Sequence, residues 1–138
     1  MKEWVVYSLI TVVFWGVWAF TPKMASMHIK DPFSILFYQF AFSFALMSAI
    51  ICVNGFHLEY NTTGLIYAVV TGGCATIGTV FFIKAFQTGS NASAVVLITG
   101  LYPLIAVPLC LIILKEPLTI TKGLGMLFAV VAMVLLSI

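Results

Sequence analysis

Charge is what this sequence has least of: Asp, Glu, Lys and Arg together make up 7% of its 138 residues, where a soluble domain carries about a quarter. With 63% hydrophobic residues beside so little charge, the chain is not a water-soluble globule, and lipid is its solvent. Polar stretches longer than about a dozen residues are also missing, so no extramembrane domain is expected and function is placed within the bilayer. The basic residues are scattered, without the cluster of about four to eight that a lipid-headgroup patch or a nucleic-acid surface needs. Nucleic acid is thereby excluded as a partner.

Paired cysteines are lacking too. Cys52, Cys74 and Cys110 fall singly in three apolar runs, with no CxxC and no His at ligand spacing, and are expected to act as small hydrophobes. Catalytic sets are absent in the same way. Asp31, Glu59 and Glu116 lie in turns, Glu3 at the start, and His28 and His57 in loops, so no carboxylate pair, HxxxH or Ser/His/Asp set reaches bilayer depth. The expectation is no enzyme, no metal and no cofactor.

What the sequence does have is long apolar runs. The most informative stretch lies between Lys84 and Lys115, thirty residues without a charge, long enough for a membrane helix. Gly100, Pro103 and Pro108 sit inside it, and such residues remove backbone donors and loosen the helical ladder. Irregular backbone at that depth is tolerated only against protein or a cavity, so these three are candidate gating positions. Lys115-Glu116-Pro117 then forms a short charged turn into a further apolar run.

Charges and caps divide the chain into five expected spans, 4–21, 33–53, 64–86, 92–114 and 118–138, each about the length that a hydrocarbon core of ~30 Å requires. The fold class is all-α, one transmembrane domain over 1–138, since no segment alternates polar and apolar residues as a barrel strand would. Pro22 and Lys23 follow the first span, and Asp31-Pro32 offers a cap and a first helical residue for the second. Asn61-Thr62-Thr63 and Asn91-Ala92-Ser93 match the glycosylation pattern, but both stand at helix starts, where the capping reading is preferred. An uncleaved first span is expected after Met1-Lys2-Glu3. Rows of small residues, Ala68, Gly72 and Thr76, Cys74 and Gly78, and Gly125 and Ala129, are expected to mediate close helix packing, within the protomer as the preferred reading and between protomers as the alternative.

Ser8, Thr11, Trp15 and Trp18 share one helical face of the first span. Trp4 reads as an interfacial belt residue, whereas Trp15 and Trp18 are candidate cavity-lining side chains. Gln39 is the amide well inside the second span, with Tyr38 beside it and Ser43 one turn on; interhelical hydrogen bonding is the alternative for Gln39. Thr99 and Tyr102 flank the expected break, and with Trp15, Trp18, Tyr38 and Gln39 they form the expected substrate-binding set. Lys23 and Lys84, near span ends, are expected to snorkel outward; turned inward, either would attract an anionic or zwitterionic group.

Phe14-Trp15-Gly16 with Lys23, Ala85-Phe86, Asn91-Ala92-Ser93-Ala94, Leu101-Tyr102-Pro103, Lys115-Glu116-Pro117-Leu118 and Gly123-Leu124-Gly125 follow one another across the whole chain. In that order they resemble a single repeat of the EamA family, in the drug/metabolite transporter superfamily. The resemblance implies half of an inverted-repeat transporter fold in the cell (inner) membrane, moving small organic metabolites or drugs by alternating access. Most members resemble two fused repeats, so a single one implies assembly as a homodimer around a shared cavity. Two other roles fit a half-size unit: a non-transporting assembly or regulatory subunit, and half of a lipid-carrier flippase. The family-typical Arg of the second span is replaced by Phe37-Tyr38-Gln39. The related small multidrug resistance proteins couple transport through a Glu in the first span; here no acid lies there beyond Glu3.

With five spans, Lys2, Lys115 and Lys122 fall on one side and Lys23, Lys30 and Lys84 on the other, which leaves no positive-inside bias. Insertion in both orientations would let one sequence build an antiparallel homodimer. Three Lys inserted after Met1 are therefore expected to fix one orientation and abolish activity, with recovery on co-expressing an oppositely biased copy. A C-terminal reporter found on one side only in the unaltered protein would refute the antiparallel arrangement.

Overall fold

Asp31 and Pro32 set the clearest boundary in the chain. The Asp31 carboxylate accepts from the amides of Phe33 (3.3 Å) and Ser34 (2.8 Å) and from the Ser34 hydroxyl (2.6 Å), so three donors at a helix start are satisfied by one side chain. The Ser34 hydroxyl is the chief reason the Asp31 carboxyl sits below its ordinary pKa, and the two amides act in the same direction. In the computed structural model, which describes residues 3–88, 91–115 and 117–137, this cap opens α2 (Pro32–Val53). Lys2, Glu116, Ile138 and the Lys122 side chain lie outside the described residues. The other helices are α1 (Glu3–His28), α3 (Thr62–Gln87), α4 (Ala92–Thr99), α5 (Pro103–Ile113) and α6 (Ile120–Ser137), and no strand occurs among the described residues.

The end of α2 is equally well defined. Asn54 caps it, Gly55 follows at φ 81°, and the amides of Gly55 and Phe56 bond back to Cys52 and Ile51. These are the two bonds of a Schellman motif, which satisfies late carbonyls and favours glycine at the left-handed position. Asn61 caps α3 through Gly64 N at 3.0 Å. Asn91 occupies the corresponding place before α4 but makes no side-chain cap bond; its amide oxygen accepts from the Ser93 hydroxyl instead.

The first helix corrects its expected end at Thr21: α1 runs on to His28 with Pro22 inside it. Proline has no N–H for the Trp18 carbonyl, and the Thr21 hydroxyl donates to that carbonyl at 3.3 Å. The helix therefore continues with its one lost donor replaced. The expected break in the fourth apolar run is present. Between α4 and α5, Leu101 N bonds to Ile98 O and Tyr102 N to Thr99 O, a tightened i to i−3 pattern that bridges to Pro103 at the start of α5. Among the described residues four segments are long and apolar enough to cross a membrane, α1, α2, α3 and the α4–α5 run Ala92–Ile113, while α6 carries the shorter apolar stretch Gly123–Ala132.

The chain divides into two compact units, Met1–Thr88 and Gly89–Ile138. In the first, α1, α2 and α3 all touch one another, and the packing is concentrated at one end. Ile35, Leu36 and Ile83 form the buried cluster, with Ala25, Ile29 and Val80 against it, and Pro22, Thr79, Phe82 and Phe86 are also buried. These residues come from the last turns of α1, the first turns of α2 and the last turns of α3. Toward the other end the three helices stand apart: every residue from 61 to 78 is exposed, as is nearly all of α1 before Trp18. Gly72 and Gly78 have no atom within 4 Å of a built Cβ, so the small-residue rows of α3 are not packed within the chain, contrary to expectation. Exposed hydroxyls there turn back on their own helix, as Ser8 does to Trp4 O, Thr11 to Tyr7 O and Thr76 to Gly72 O, which satisfies them without a neighbour. In the second unit α4 packs on α6, and Val95 is buried.

The closed end of the first unit is tied through polar groups. Lys23 Nζ donates to Phe86 O at 3.1 Å, and Gln87 Nε2 donates to Lys30 O at 2.8 Å. Phe86 O is one of the last four carbonyls of α3, which lack intrahelical donors and carry the negative end of the helix dipole. Lys23 thus reaches across to the end of α3. Lys84 is exposed and stands over the rings of Phe33 (5.6 Å) and Phe81 (6.0 Å). Lys23→Met is expected to lower unfolding stability by about 1.5–3 kcal/mol, the range for a hydrogen bond involving a charged group. Lys30→Met, whose side chain is exposed, should be near neutral. Thermal unfolding of both variants in detergent checks this, and equal midpoints would refute the tie.

Candidate functional site

Trp18, Thr21, Pro22 and Ala25 recur at three- and four-residue steps along α1, and Ile29 follows one turn on. Ile35, Tyr38 and Gln39 recur in the same way along α2. Each set therefore shares a helical face, and the two faces line one open hollow of about 320 Å³ between α1 and α2. Its floor is the buried cluster, since Ile35, Ala25 and Ile29 belong to both.

The indole of Trp18 is held in place from behind. It stacks on Phe82 at 5.6 Å between centroids and 18° between planes, and Phe82 in turn packs on Phe86 at 4.6 Å. An aromatic column from α3 thus fixes a side chain of α1, and such pairs contribute about 0.5–1.5 kcal/mol beyond simple burial. The polar groups around the hollow differ in their commitments. The Thr21 hydroxyl is taken by Trp18 O. Trp18 Nε1, the Tyr38 hydroxyl and the Gln39 amide have no hydrogen-bond partner among the described residues, although Gln39 is half-buried. Donors and acceptors at bilayer depth are costly when left unpaired, so three uncommitted polar tips around one hollow mark a place for water or a polar solute.

Of the residues expected to bind substrate, Trp18, Tyr38 and Gln39 are thus brought together. Trp15, a turn earlier on α1, is 56% exposed and lies outside the lining. Thr99 and Tyr102 belong to the second unit. There the Thr99 hydroxyl donates to its own helix, to Val95 O at 2.8 Å and Val96 O at 3.1 Å, and Tyr102 is 54% exposed at the start of α5. Gly100 ends α4, Pro103 opens α5 and Pro108 lies inside it. Of the two lysines offered as charge contacts, Lys23 is engaged by Phe86 O and Lys84 by two rings. Neither lines the hollow.

Sequence reasoning did not single out Phe82, which backs Trp18, or Pro22, Ala25, Ile29 and Ile35 in the lining. The pair Phe82 and Phe86 at a four-residue step was the available signal for the first. The others follow only once α1 is known to run through Pro22, because that extends the Trp18 face by two turns.

Comparison with known proteins adds to this geometry. The EamA-like transporter family matches residues 2–138. An uncharacterized transporter of Archaeoglobus fulgidus is 28% identical over 137 residues, covering 99% of this chain and 48% of that protein. An uncharacterized protein of Methanocaldococcus jannaschii is 29% identical over 144 residues, covering 100% of this chain and 98% of that one. The chain thus spans about half the length of the first relative and nearly all of the second. No solved structure matches. The family match over residues 2–138, carried on apolar helices long enough to span a bilayer, shows that this chain is a multi-pass membrane protein of the EamA-like transporter family.

Proposed function

We propose that the chain carries a small organic solute across the cell (inner) membrane by alternating access, as a half-size unit paired with a second copy. The observation that carries this reading is the hollow between α1 and α2, where Trp18, Tyr38 and Gln39 present uncommitted polar groups on an apolar floor. An apolar pocket with a few convergent polar groups is the usual form of a small-molecule site, and about 320 Å³ falls at the lower end of the range of ~300–1,000 Å³. Pairing is supported by the relatives: one is about twice the length of this chain and another about the same length. An antiparallel pair is supported by the even division of lysines between the two sides.

Movement is assigned to the α4–α5 junction. Pro103 cannot donate to Thr99 O, and the junction is held instead by i to i−3 bonds of Leu101 and Tyr102. Such a segment absorbs a change of backbone angles at lower cost than a continuous α-helix, and Gly100 and Pro108 on either side extend it.

Two variants in proteoliposomes test the parts separately. Gln39→Leu is expected to raise the half-saturating solute concentration roughly tenfold, since an amide partner is lost in a place where water is scarce. Pro103→Ala is expected to leave binding intact and slow turnover severalfold, because restoring the donor stiffens the junction. Unchanged uptake in both variants, at wild-type abundance, would refute the assignment of site and hinge alike.

A further inference from the structure

We propose that the hollow selects uncharged solutes with a flat apolar body and one carboxamide- or hydroxyl-type group, and rejects organic anions and organic cations of the same shape. This rests on the reading of the hollow as the solute site. Among the described residues the lining holds no Asp, Glu, Lys, Arg or His. Lys23 directly follows the lining residue Pro22, yet its ammonium donates away to Phe86 O at 3.1 Å, at an α3 end that has no other donor for that carbonyl among the described residues. A carboxylate entering the hollow would obtain the Lys23 ammonium only by breaking that tie, and Lys30, which follows the lining residue Ile29, is exposed and does not line the hollow. An ammonium would find no carboxylate, because Asp31 is held at the start of α2 by Phe33 and Ser34. It could use ring faces, but one face of Trp18 is already occupied by Phe82. An ion taken from water into an apolar hollow without a counter-charge is strongly disfavoured, whereas a neutral polar group needs only hydrogen bonds.

The hydrogen-bonding groups present suit a carboxamide. Gln39 offers two N–H donors and a carbonyl acceptor, so a second carboxamide can pair with it through both at once. Trp18 adds a donor only, and Tyr38 can serve in either sense. The apolar part of the solute would lie on Ala25, Ile29 and Ile35.

The test uses the full chain in lipid nanodiscs and three tritiated probes that share a phenyl ring: phenylacetamide, phenylacetate and 2-phenylethylammonium, measured by equilibrium dialysis against empty nanodiscs. Phenylacetamide is expected to bind at least tenfold more tightly than either ion. Gln39→Met and Tyr38→Phe, both conservative in volume and checked for native elution on gel filtration, should each weaken it at least threefold. Phenylacetate binding as well as the amide, with that affinity lost in Lys23→Met, would overturn the proposal in favour of an anion site. Tighter binding of 2-phenylethylammonium, or no specific binding of phenylacetamide, would overturn it as well. The location is separated from the class by Trp18→Ala: an ionic probe whose binding falls in that variant keeps the hollow as the site and refutes only the preference for neutral solutes. Binding unchanged in Trp18→Ala, Tyr38→Phe and Gln39→Met would refute the hollow itself.

Discussion

The last turn of α3 is the constraint on which the first unit depends. Ile83 and Phe86 are its fully buried side chains, and the backbone carbonyl of Phe86 and the amide of Gln87 reach α1 and the loop after it. In lipid, apolar contact alone gives little reason for helices to associate, because the tails are as apolar as the side chains. Close packing and hydrogen bonds must do it. Here both are concentrated in one turn, and the result is a hollow whose walls come from α1 and α2 while its rear support comes from α3.

The same arrangement accounts for the electrostatic character of the site. A lysine placed one residue from the lining would ordinarily make it anion-attracting, but the dipole of α3 and the carbonyl of Phe86 hold that ammonium. A structural requirement, capping the end of α3, thereby keeps that ammonium out of the hollow.

Much of this was legible in the sequence, and the rest failed for identifiable reasons. Asp31-Pro32 and Asn61 marked helix starts because capping is local chemistry, complete within three residues. The interruption before Pro103 was legible because a missing N–H has the same effect in any context. Trp18, Tyr38 and Gln39 were named within a set of six whose other members, Trp15, Thr99 and Tyr102, do not line the hollow, because helical spacing fixes a face on one helix without saying which helix that face meets. The passage of α1 through Pro22 was not legible, since the replacement donor is the hydroxyl of the preceding Thr21, which stop signals do not weigh. The tie of Lys23 to α3 was hidden for a different reason: its acceptor lies 63 residues away in the chain. No local pattern encodes that distance. The small residues of α3 were expected to be covered within the chain, yet they stand open; glycine spacing permits close approach without naming the helix that approaches.

Because α3 is gripped only near Thr79–Gln87 and is exposed from 61 to 78, it is mechanically a rod clamped at one end. The free part, some sixteen residues from Thr62, extends about 24 Å at 1.5 Å per residue. A tilt of about 10° at the clamp, which the Lys23 and Gln87 tethers can follow by small side-chain rotations, displaces the far tip by roughly 4 Å over that length. Leverage of this kind makes the free end of α3 the part of that helix most displaced by any change of angle near Ile83.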